Sequence, residues 1–349
     1  MSNVTIRDIA RELGVDPSTV SSCLSGDPRR RISKKRIEEV RKKAEEMGYI
    51  PNMLASRIFR RNNKKYIGIV INTDLTGNAS RIILEYILTE VAGRDDCDYA
   101  VLFTAGKSLD EAIKNGVGLG IKDFIITCYL RGYDLNLIDF KKLPQVNIYA
   151  ANYYFDDTDF ECPQVVKKMG FSRDEYYSML INFLEKSGYG PVLMVKSLER
   201  GQTAEDNENI ISFPIDDFAE PYVTGMDEYA PKILERIQGG RYRTLLLRDD
   251  AIAVGVMEKL LACGVKIPED LALIGFDDAP FAPYAKVALS STALLVKDNV
   301  RKLVANIISG DDMPDIVFQQ PVLVLRDSVP ADWDWSGISG NLKIVRGAK

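Results

Sequence analysis

Histidine is absent from this chain of 349 residues. It is the usual general base beside serine and cysteine nucleophiles and the commonest metal ligand, so its absence argues against many enzymes and metal sites. The five cysteines show no CxxC spacing, which is typical of reduced thiols rather than of a disulfide framework or a zinc site. The glycine-rich run GVGLG at 116–120 precedes a predicted strand instead of following one, which argues against a phosphate-binding loop. We therefore expect no catalytic activity, no metal and no other cofactor.

Long apolar runs are also missing. A bilayer span needs about 18 or more apolar residues without charge, and the chain has no such stretch. Arg7 and Asp8 lie where a signal peptide needs its apolar segment. We therefore expect a cytoplasmic protein with no membrane partner. Its length and its hydrophobic fraction of 46% allow two or three folded units.

Positive charge is scarce outside the first part of the chain. The net charge is -5, but residues 1–65 contain 16 Lys and Arg against 8 Asp and Glu, a local charge of +8. The remaining residues therefore carry a net charge of -13. A segregated basic module is typical of a protein that binds a polyanion, because Lys and Arg near phosphates release condensed counterions. A basic face that meets only solvent is the alternative.

The first 25 residues have the pattern of two short helices. Thr5 is spaced to cap the first helix together with Asp8, and Gly14 supplies the left-handed turn that ends it. Asp16 can cap the second helix, with Pro17 at its first position, where a missing N–H costs nothing. The positions expected to be buried are Ile6, Ile9, Ala10 and Leu13 in the first helix and Val20 and Leu24 in the second.

A third helix is expected to start at the cap Ser33 and to reach about Met47. Its expected buried positions are Ile37, Val40, Ala44 and Met47. Because the turn between the first two helices is tight, the three helices predict a helix-turn-helix unit, whose second helix can enter a major groove. A small helical bundle without a ligand is the alternative.

Two strings within residues 4–58 carry a resemblance to a known family. They are VTIRDIARELGVDPSTVSSCLSG and RISKKRIEEVRKKAEEMGYIPNMLASRI. Both resemble the DNA-binding headpiece and hinge of lactose-repressor-type (LacI/GalR) transcription regulators. The resemblance implies a sequence-specific DNA-binding regulator, and we expect a repressor that is switched by a small-molecule effector.

The resemblance also assigns contacts with DNA. The positions that face base edges are Asp16, Pro17, Ser18, Ser21 and Ser22. The positions that touch phosphates are Thr5, Thr19, Ser33 and Asn52. Family members often carry arginine where this chain has Ser22, and serine cannot make the bidentate guanine contact of arginine. The operator sequence therefore cannot be transferred from relatives.

Basic and apolar residues after the second helix add three further candidates. Arg29 belongs to the loop GDPRRRIS, which we interpret as a phosphate clamp, with a solvated loop as the alternative. The segment PNMLASRIF has a helical apolar face but is too short to be stable alone in water. In the family, two such hinge helices fold together on DNA and insert an apolar side chain into the minor groove. The resemblance gives this role to Ile58, with Ala55 on the same face; a plain basic linker is the alternative.

Beyond Lys65 the chain alternates apolar strands with helical stretches. We predict strands at 66–71, 99–104, 124–130, 146–150, 191–196, 243–248 and 271–276. Such alternation predicts parallel sheets covered by helices, with ligands bound at the carboxyl ends of the strands. The expected fold class is an all-α helix-turn-helix headpiece plus an α/β two-lobed periplasmic-binding-protein-like effector domain with parallel sheets.

The resemblance fixes the expected boundaries. The headpiece is placed at 1–50, the hinge helix and linker at 51–65, and the effector-binding and dimerisation domain at 66–330. Lobe 1 is expected at about 66–155 and 288–312 and lobe 2 at about 156–287 and 313–330, with crossings near 152–162, 285–290 and 310–315. The tail, 331–349, lacks the leucine heptads of a tetramerising coiled coil. We therefore expect a homodimer and a pseudo-palindromic duplex operator.

Residues 248–284 resemble the effector domain of the family, which is itself similar to periplasmic sugar-binding proteins. The resemblance places Asp277 where a carboxylate holds a ligand hydroxyl or amine, and Asp249 where asparagine is usual. Carboxylates suit sugars because they accept hydrogen bonds from adjacent hydroxyls. Asp250 and Asp278 are instead expected to cap a helix and a turn.

Three more residues complete the candidate effector site. Asp74 and Asn78 lie in NTDLTGNAS, a loop without the proline and aromatic residues that are common there in the family. Arg200 is the candidate for an anchoring cation. A sugar is the leading ligand class, although the acidic pocket also suits a cationic or amine-bearing ligand. The alternative function is a cytoplasmic sugar-sensing or binding protein whose headpiece does not function.

Overall fold

The computed structural model describes residues 4–25, 32–47, 49, 64–71, 78–104, 108–127, 138–140, 146–155, 163–198, 207–214, 223–338 and 342–347. The chain divides into two compact units, Met1–Asn63 and Lys64–Lys349. Within the described ranges, no helix is long and apolar enough to cross a membrane.

Three helices form the described part of the first unit: α1 (Ile6–Leu13), α2 (Pro17–Ser25) and α3 (Lys34–Glu46). α1 begins at a capping box in which the Asp8 N–H donates to Thr5 Oγ1 and the Thr5 N–H donates to the Asp8 carboxylate at 2.9 Å. It ends at Gly14, whose φ of 60° lies in the left-handed region that favours glycine. These caps lie where the sequence predicts them.

A small apolar core joins the three helices. Its buried members are Ile9, Ala10, Val20, Cys23, Val40 and Ala44. Five residues that we expected to be buried are only partly buried and pack around this core: Ile6, Leu13, Leu24, Ile37 and Met47. Cys23 was not among the expected core residues; it is fully buried one position before Leu24. Because Cys23 lies three positions after Val20, both side chains face the same side of α2.

The second unit contains two sheets. The first has the strands β1 (Lys65–Ile71), β2 (Cys97–Phe103), β3 (Asp123–Ile126), β4 (Asn147–Tyr154), β5 (Val165–Phe171) and β11 (Ile316–Phe318) in the order β11-β5-β4-β3-β1-β2. All its pairings are parallel. The helices α4 (Asn78–Ala92) and α9 (Lys297–Ser309) pack on one face and α5 (Leu109–Gly118) packs on the other.

The second sheet has seven strands. They are β6 (Val192–Leu198), β7 (Ile210–Pro214), β8 (Thr244–Leu247), β9 (Ala272–Phe276), β10 (Ser290–Leu294), β12 (Pro321–Leu325) and β13 (Lys343–Arg346), in the order β13-β12-β10-β9-β8-β6-β7. Only the pairing of β10 with β12 is antiparallel. The helices α7 (Val223–Ile237) and α8 (Asp250–Ala262) share one core with this sheet, and α6 (Arg173–Lys186) packs on its other face. Each sheet and its helices form one lobe.

The lobe boundaries lie later in the chain than the sequence predicts. β5 belongs to the first sheet, although lobe 2 was expected from about 156. β10 belongs to the second sheet, although lobe 1 was expected to resume at about 288. The continuous stretch VFQQPVLVL is divided between β11 in the first sheet, although lobe 2 was expected at about 313–330, and β12 in the second. The chain therefore crosses between lobes near 172, near 296 and at 319–320.

The described residues after 330, 331–338 and 342–347, are part of lobe 2 and not an appended tail. β13 adds to the second sheet parallel to β12. Trp333 stacks on Tyr189, with ring centroids 4.2 Å apart and an angle of 6° between the planes. Trp335 stacks on Phe183 of α6 at 5.4 Å. Both indoles are buried in the core between α6 and the sheet.

Candidate nucleic-acid interface and effector site

α2 turns its apolar residues inward and its small polar residues outward. Val20 and Cys23 are fully buried. Most of the predicted base-facing residues lie on the opposite side, where Asp16, Pro17, Ser18 and Ser21 are exposed, whereas Ser22 and Thr19 are half-buried. The first unit therefore presents a face of α2 that has no part in its own core.

Asp16 accepts hydrogen bonds from the first turn of α2. Its Oδ1 accepts a hydrogen bond from the Ser18 N–H at 2.7 Å, and its carbonyl accepts one from the Thr19 N–H at 2.9 Å. The Ser22 hydroxyl donates to the Ser18 carbonyl at 2.8 Å. The donor of Ser22 is thus engaged within the helix. Among these residues, Ser21 is exposed and has a hydroxyl for which no hydrogen bond is described.

Thr5 and Ser33 are exposed at the first turns of α1 and α3. The Ser33 hydroxyl accepts from the Arg36 N–H at 3.3 Å. The hydrogen bond from the Thr5 hydroxyl lowers the pKa of Asp8. Helix N-termini are favourable places for phosphate because their N–H groups point outward. The predicted contacts at Arg29, Asn52, Ala55 and Ile58 lie outside the described residues.

In the second unit, Asp249 and Asp250 follow β8. Asp249, and not Asp250 as expected, caps α8: its Oδ1 accepts from the Ile252 N–H at 2.8 Å. Burial raises the pKa of Asp249. Asp249 was expected to hold the effector, but its Oδ1 is already used to cap α8.

Asp250 is fully buried and joins two segments. Its Oδ2 accepts from the Ala279 N–H and its Oδ1 from the Ser291 hydroxyl, both at 2.6 Å. Burial raises the pKa of Asp250 to about 8. A Cβ on Gly275 would lie 2.1 Å from Asp250 Oδ1, so glycine at 275 is needed for this close approach. Asp250 therefore fixes the loop that follows β9.

That loop begins with Asp277 and Asp278, which have positive φ angles of 97° and 48°. The Asp277 N–H donates to the Thr292 carbonyl at 2.7 Å. Asp278 makes an ion pair with Arg326 at 2.7 Å, and its N–H donates to the Ser291 hydroxyl at 3.0 Å. Asp278 is thus held by the protein, as its expected role in a turn requires.

Tyr177 marks where the candidate effector residues come together. It lies on α6, and its hydroxyl is buried with no hydrogen-bond partner among the described residues. Burial raises the pKa of Tyr177; Asp277 and Asp249 act in the same direction, while Arg173 and Arg248 oppose them. The pKa of one buried phenol is therefore influenced by two carboxylates and two guanidinium groups.

Arg173 and Tyr177 were not among the sequence-predicted site residues. The signal was present: SRDEYY directly follows KKMGF at the end of β5, and strand carboxyl ends are where ligands bind in such folds. The Arg173 guanidinium also lies 5.4 Å from the centre of the Phe276 ring. Of the remaining candidates, Asp74 and Arg200 lie outside the described residues, and Asn78 begins α4 with its side chain outside them.

Two sequence profiles match the chain. Residues 5–52 match the family described as "Bacterial regulatory proteins, lacI family". Residues 207–329 match "Periplasmic binding protein-like domain". The chain therefore combines a DNA-binding domain of the lacI type with a periplasmic-binding-protein-like domain.

Curated relatives match almost the whole chain. The HTH-type transcriptional regulator AscG of Escherichia coli K12 is 26% identical over 357 residues, which cover 94% of this chain and 98% of that protein. The probable HTH-type transcriptional repressor ExuR of Bacillus subtilis 168 is 24% identical, with 93% and 98% covered. The repressor PurR of Histophilus somni is 23% identical, with 93% and 98% covered. These lacI-family proteins are regulators, which confirms the prediction of a regulator and not an enzyme.

Solved structures of the family share the fold. The Lac repressor dimer bound to operator and the anti-inducer ONPF has a TM-score of 0.70 at 18% identity, covering 95% of this chain and 100% of that one. A complex of the regulator CelR with cellobiose has a TM-score of 0.54 at 16% identity, with 93% and 100% covered. The expected fold class, a helical headpiece plus a two-lobed α/β domain, is confirmed.

Proposed function

We propose that this lacI-family chain represses transcription by binding duplex DNA through its first unit and releases or holds the DNA according to a small effector bound in its second unit. The observation that carries the proposal is the outward polar face of α2 on a closed three-helix core. A helix that exposes Ser18 and Ser21 while sealing Val20 and Cys23 has the form that a major groove accepts. The site of action is then the cytoplasm, where bacterial DNA lies.

Short side chains dominate the proposed DNA surface. α2 contains neither Lys nor Arg, so bidentate guanine contacts cannot come from it. Base reading would depend on the serines of α2, Ser18, Ser21 and Ser22, together with DNA shape. The net charge of +8 on residues 1–65 supplies the phosphate attraction that holds such a surface on DNA.

For the effector we propose a sugar or another polyhydroxylated small molecule. Carboxylates accept hydrogen bonds from hydroxyls and guanidinium groups donate them, so Asp277 and Arg173 are complementary to adjacent hydroxyls. The hydroxyl of Tyr177 adds a buried group that needs a partner. We place Asp277, Arg173 and Tyr177 at the effector, and we keep Asp249 as a cap that contributes through its second oxygen.

A homodimer follows from the same proposal. Several large apolar side chains are exposed in lobe 2 and beside it: Phe281 at 41%, Tyr284 at 83% and Leu295 at 49%. Such residues on a water-facing surface favour an interface between copies of the chain. Two symmetric headpieces would then read a pseudo-palindromic operator.

The proposal is tested by selecting binding sites for the full-length chain from randomised duplexes. We expect one preferred, two-fold symmetric site whose affinity falls steeply with salt. Ser21→Ala should change the preferred bases, because it removes an exposed hydroxyl from α2. Ser178→Ala, an exposed serine of α6, is the matched control and should leave the selected site unchanged.

The alternative, a sugar-binding protein with a non-functional headpiece, predicts a different result. In that case selection returns no site above random DNA, while a sugar still binds the second unit. Replacing Asp277 by Asn and measuring sugar affinity by calorimetry tests the effector site separately from DNA binding.

A further inference from the structure

A second cavity lies beside two of the three crossings between the lobes. Its volume is about 600 Å³, within the range of about 300–1,000 Å³ that is typical of small-molecule sites. Phe171 and Ser172 of the first crossing and Phe318 and Gln319 of the third line its wall. Leu342, directly before β13, closes one side. Asp249, Asp277 and Tyr177 do not line it, so it is distinct from the proposed effector site.

Gln319 is the unusual residue of this wall. The residue is 3% exposed, and neither its Nε2 nor its Oε1 has a hydrogen-bond partner in the part of the chain that is described. Its backbone N–H donates to the Gly170 carbonyl at 2.7 Å, which holds the residue against β5. A buried amide is normally paired, because leaving both its donor and its acceptor unmet costs the full desolvation of each. A ligand with one acceptor and one donor side by side would meet both needs.

The rest of the lining favours a neutral ring. Phe318 is 64% exposed and Phe171 is half-buried, so aromatic surface is open on two sides of the cavity. Glu175 brings a carboxylate to the rim, and no Lys or Arg is found among the described residues that line it. Among these described lining residues an anion would meet a like charge and no cation, whereas an uncharged aromatic ring can stack on phenylalanine.

We propose that this cavity is a second small-molecule site that takes a neutral ring carrying an amide, with the amide edge paired to the side chain of Gln319 and the ring against Phe171 and Phe318. The ligand would lie against both crossing segments, where a change in the angle between the lobes must occur. That the bound ligand would change the affinity for DNA rests on the proposed function, whereas the binding of the ligand to this cavity does not.

The test uses the full-length chain and three probes. Benzamide and the fused-ring amide isoquinolinone should bind in isothermal calorimetry, and crystals soaked with either should show it in contact with Gln319. Benzoate has the shape of benzamide but a negative charge and no donor. We expect its affinity to be weaker by about tenfold or more.

Gln319→Leu keeps the volume and removes both polar atoms. It should weaken amide binding by about tenfold or more without lowering the melting temperature, since it also removes an unpaired amide. Gln238→Leu, an exposed glutamine after α7, is the control and should change neither value. If Gln319→Leu does not fold, Phe318→Ala, at an exposed position, should weaken amide binding instead.

Three results would overturn the proposal: no amide binding at concentrations up to about 5 mM, equal affinity for benzamide and benzoate, or unchanged amide binding in the variants. Failure of the proposed function can be distinguished from failure of this proposal. In that case the chain binds no operator, while calorimetry still detects binding of the amides.

Discussion

Replacing Trp333 by alanine tests whether the described residues after 330 are packed into lobe 2. Trp333 is 7% exposed and stacks on Tyr189 at 4.2 Å. Removing a buried tryptophan costs about 3–5 kcal/mol, of which about 0.5–1.5 kcal/mol belongs to the ring pair. For a unit of this size, Trp333→Ala should therefore lower the melting temperature by roughly 10 °C.

Scanning calorimetry of the full chain measures this loss, and a cycle with Tyr189→Leu isolates the ring pair. The coupling between the two substitutions should be about 0.5–1.5 kcal/mol. Asp332→Ala changes an exposed neighbour and should stay within about 0.5 kcal/mol of the parent. A Trp333→Ala variant within about 1 kcal/mol of the parent would refute the docking of this segment on α6.

Three further predictions concern the capped and buried groups. Burial raises the pKa of Asp250 to about 8, above its unfolded value of about 3.9, so its stabilising effect is complete below the lower value and is lost as the pH rises through the upper one. Asp250→Asn should flatten the decline in unfolding free energy measured by urea titration from about pH 5 to 8; an unchanged slope contradicts the assignment. Gly275→Ala places a Cβ 2.1 Å from Asp250 Oδ1 and should cost about 1–3 kcal/mol, whereas Gly337→Ala, with its nearest atom at 3.7 Å, should be nearly neutral by the same titration. Thr5→Ala should destabilise the first unit by about 0.5–2 kcal/mol in thermal unfolding followed by circular dichroism, and Thr5→Ser should not, since it keeps the capping hydroxyl.

Local signals in the sequence predicted the first unit well. Thr5, Gly14 and Ser33 lie at the helix ends where their side chains or backbone preferences place them, because caps depend on neighbours in sequence. The seven predicted strands of the second unit correspond to β1, β2, β3, β4, β6, β8 and β9, since continuous apolar runs mark buried strands. The strands β5, β7, β10 and β13 were not predicted.

Long-range choices were predicted less well. Apolar periodicity does not say which sheet a strand joins, so β5, β10 and β11 were assigned to the wrong lobes. The role of Asp249 as the cap of α8 was missed because two adjacent aspartates offer the same local signal. The place of Tyr177 in the site was missed because it depends on the packing of α6 against the second sheet beside Phe276, which no pattern within α6 reveals.

β13 has a further consequence for handling the protein. Without it, β12 would be the outer strand of its sheet and would expose a row of unpaired backbone groups along PVLVL. Exposed apolar edges recruit strands from other molecules. β13 discourages such pairing because it is short, begins with Lys343 and ends with Arg346. Shortening the chain at 330 would therefore turn a well-behaved solution into one that forms aggregates.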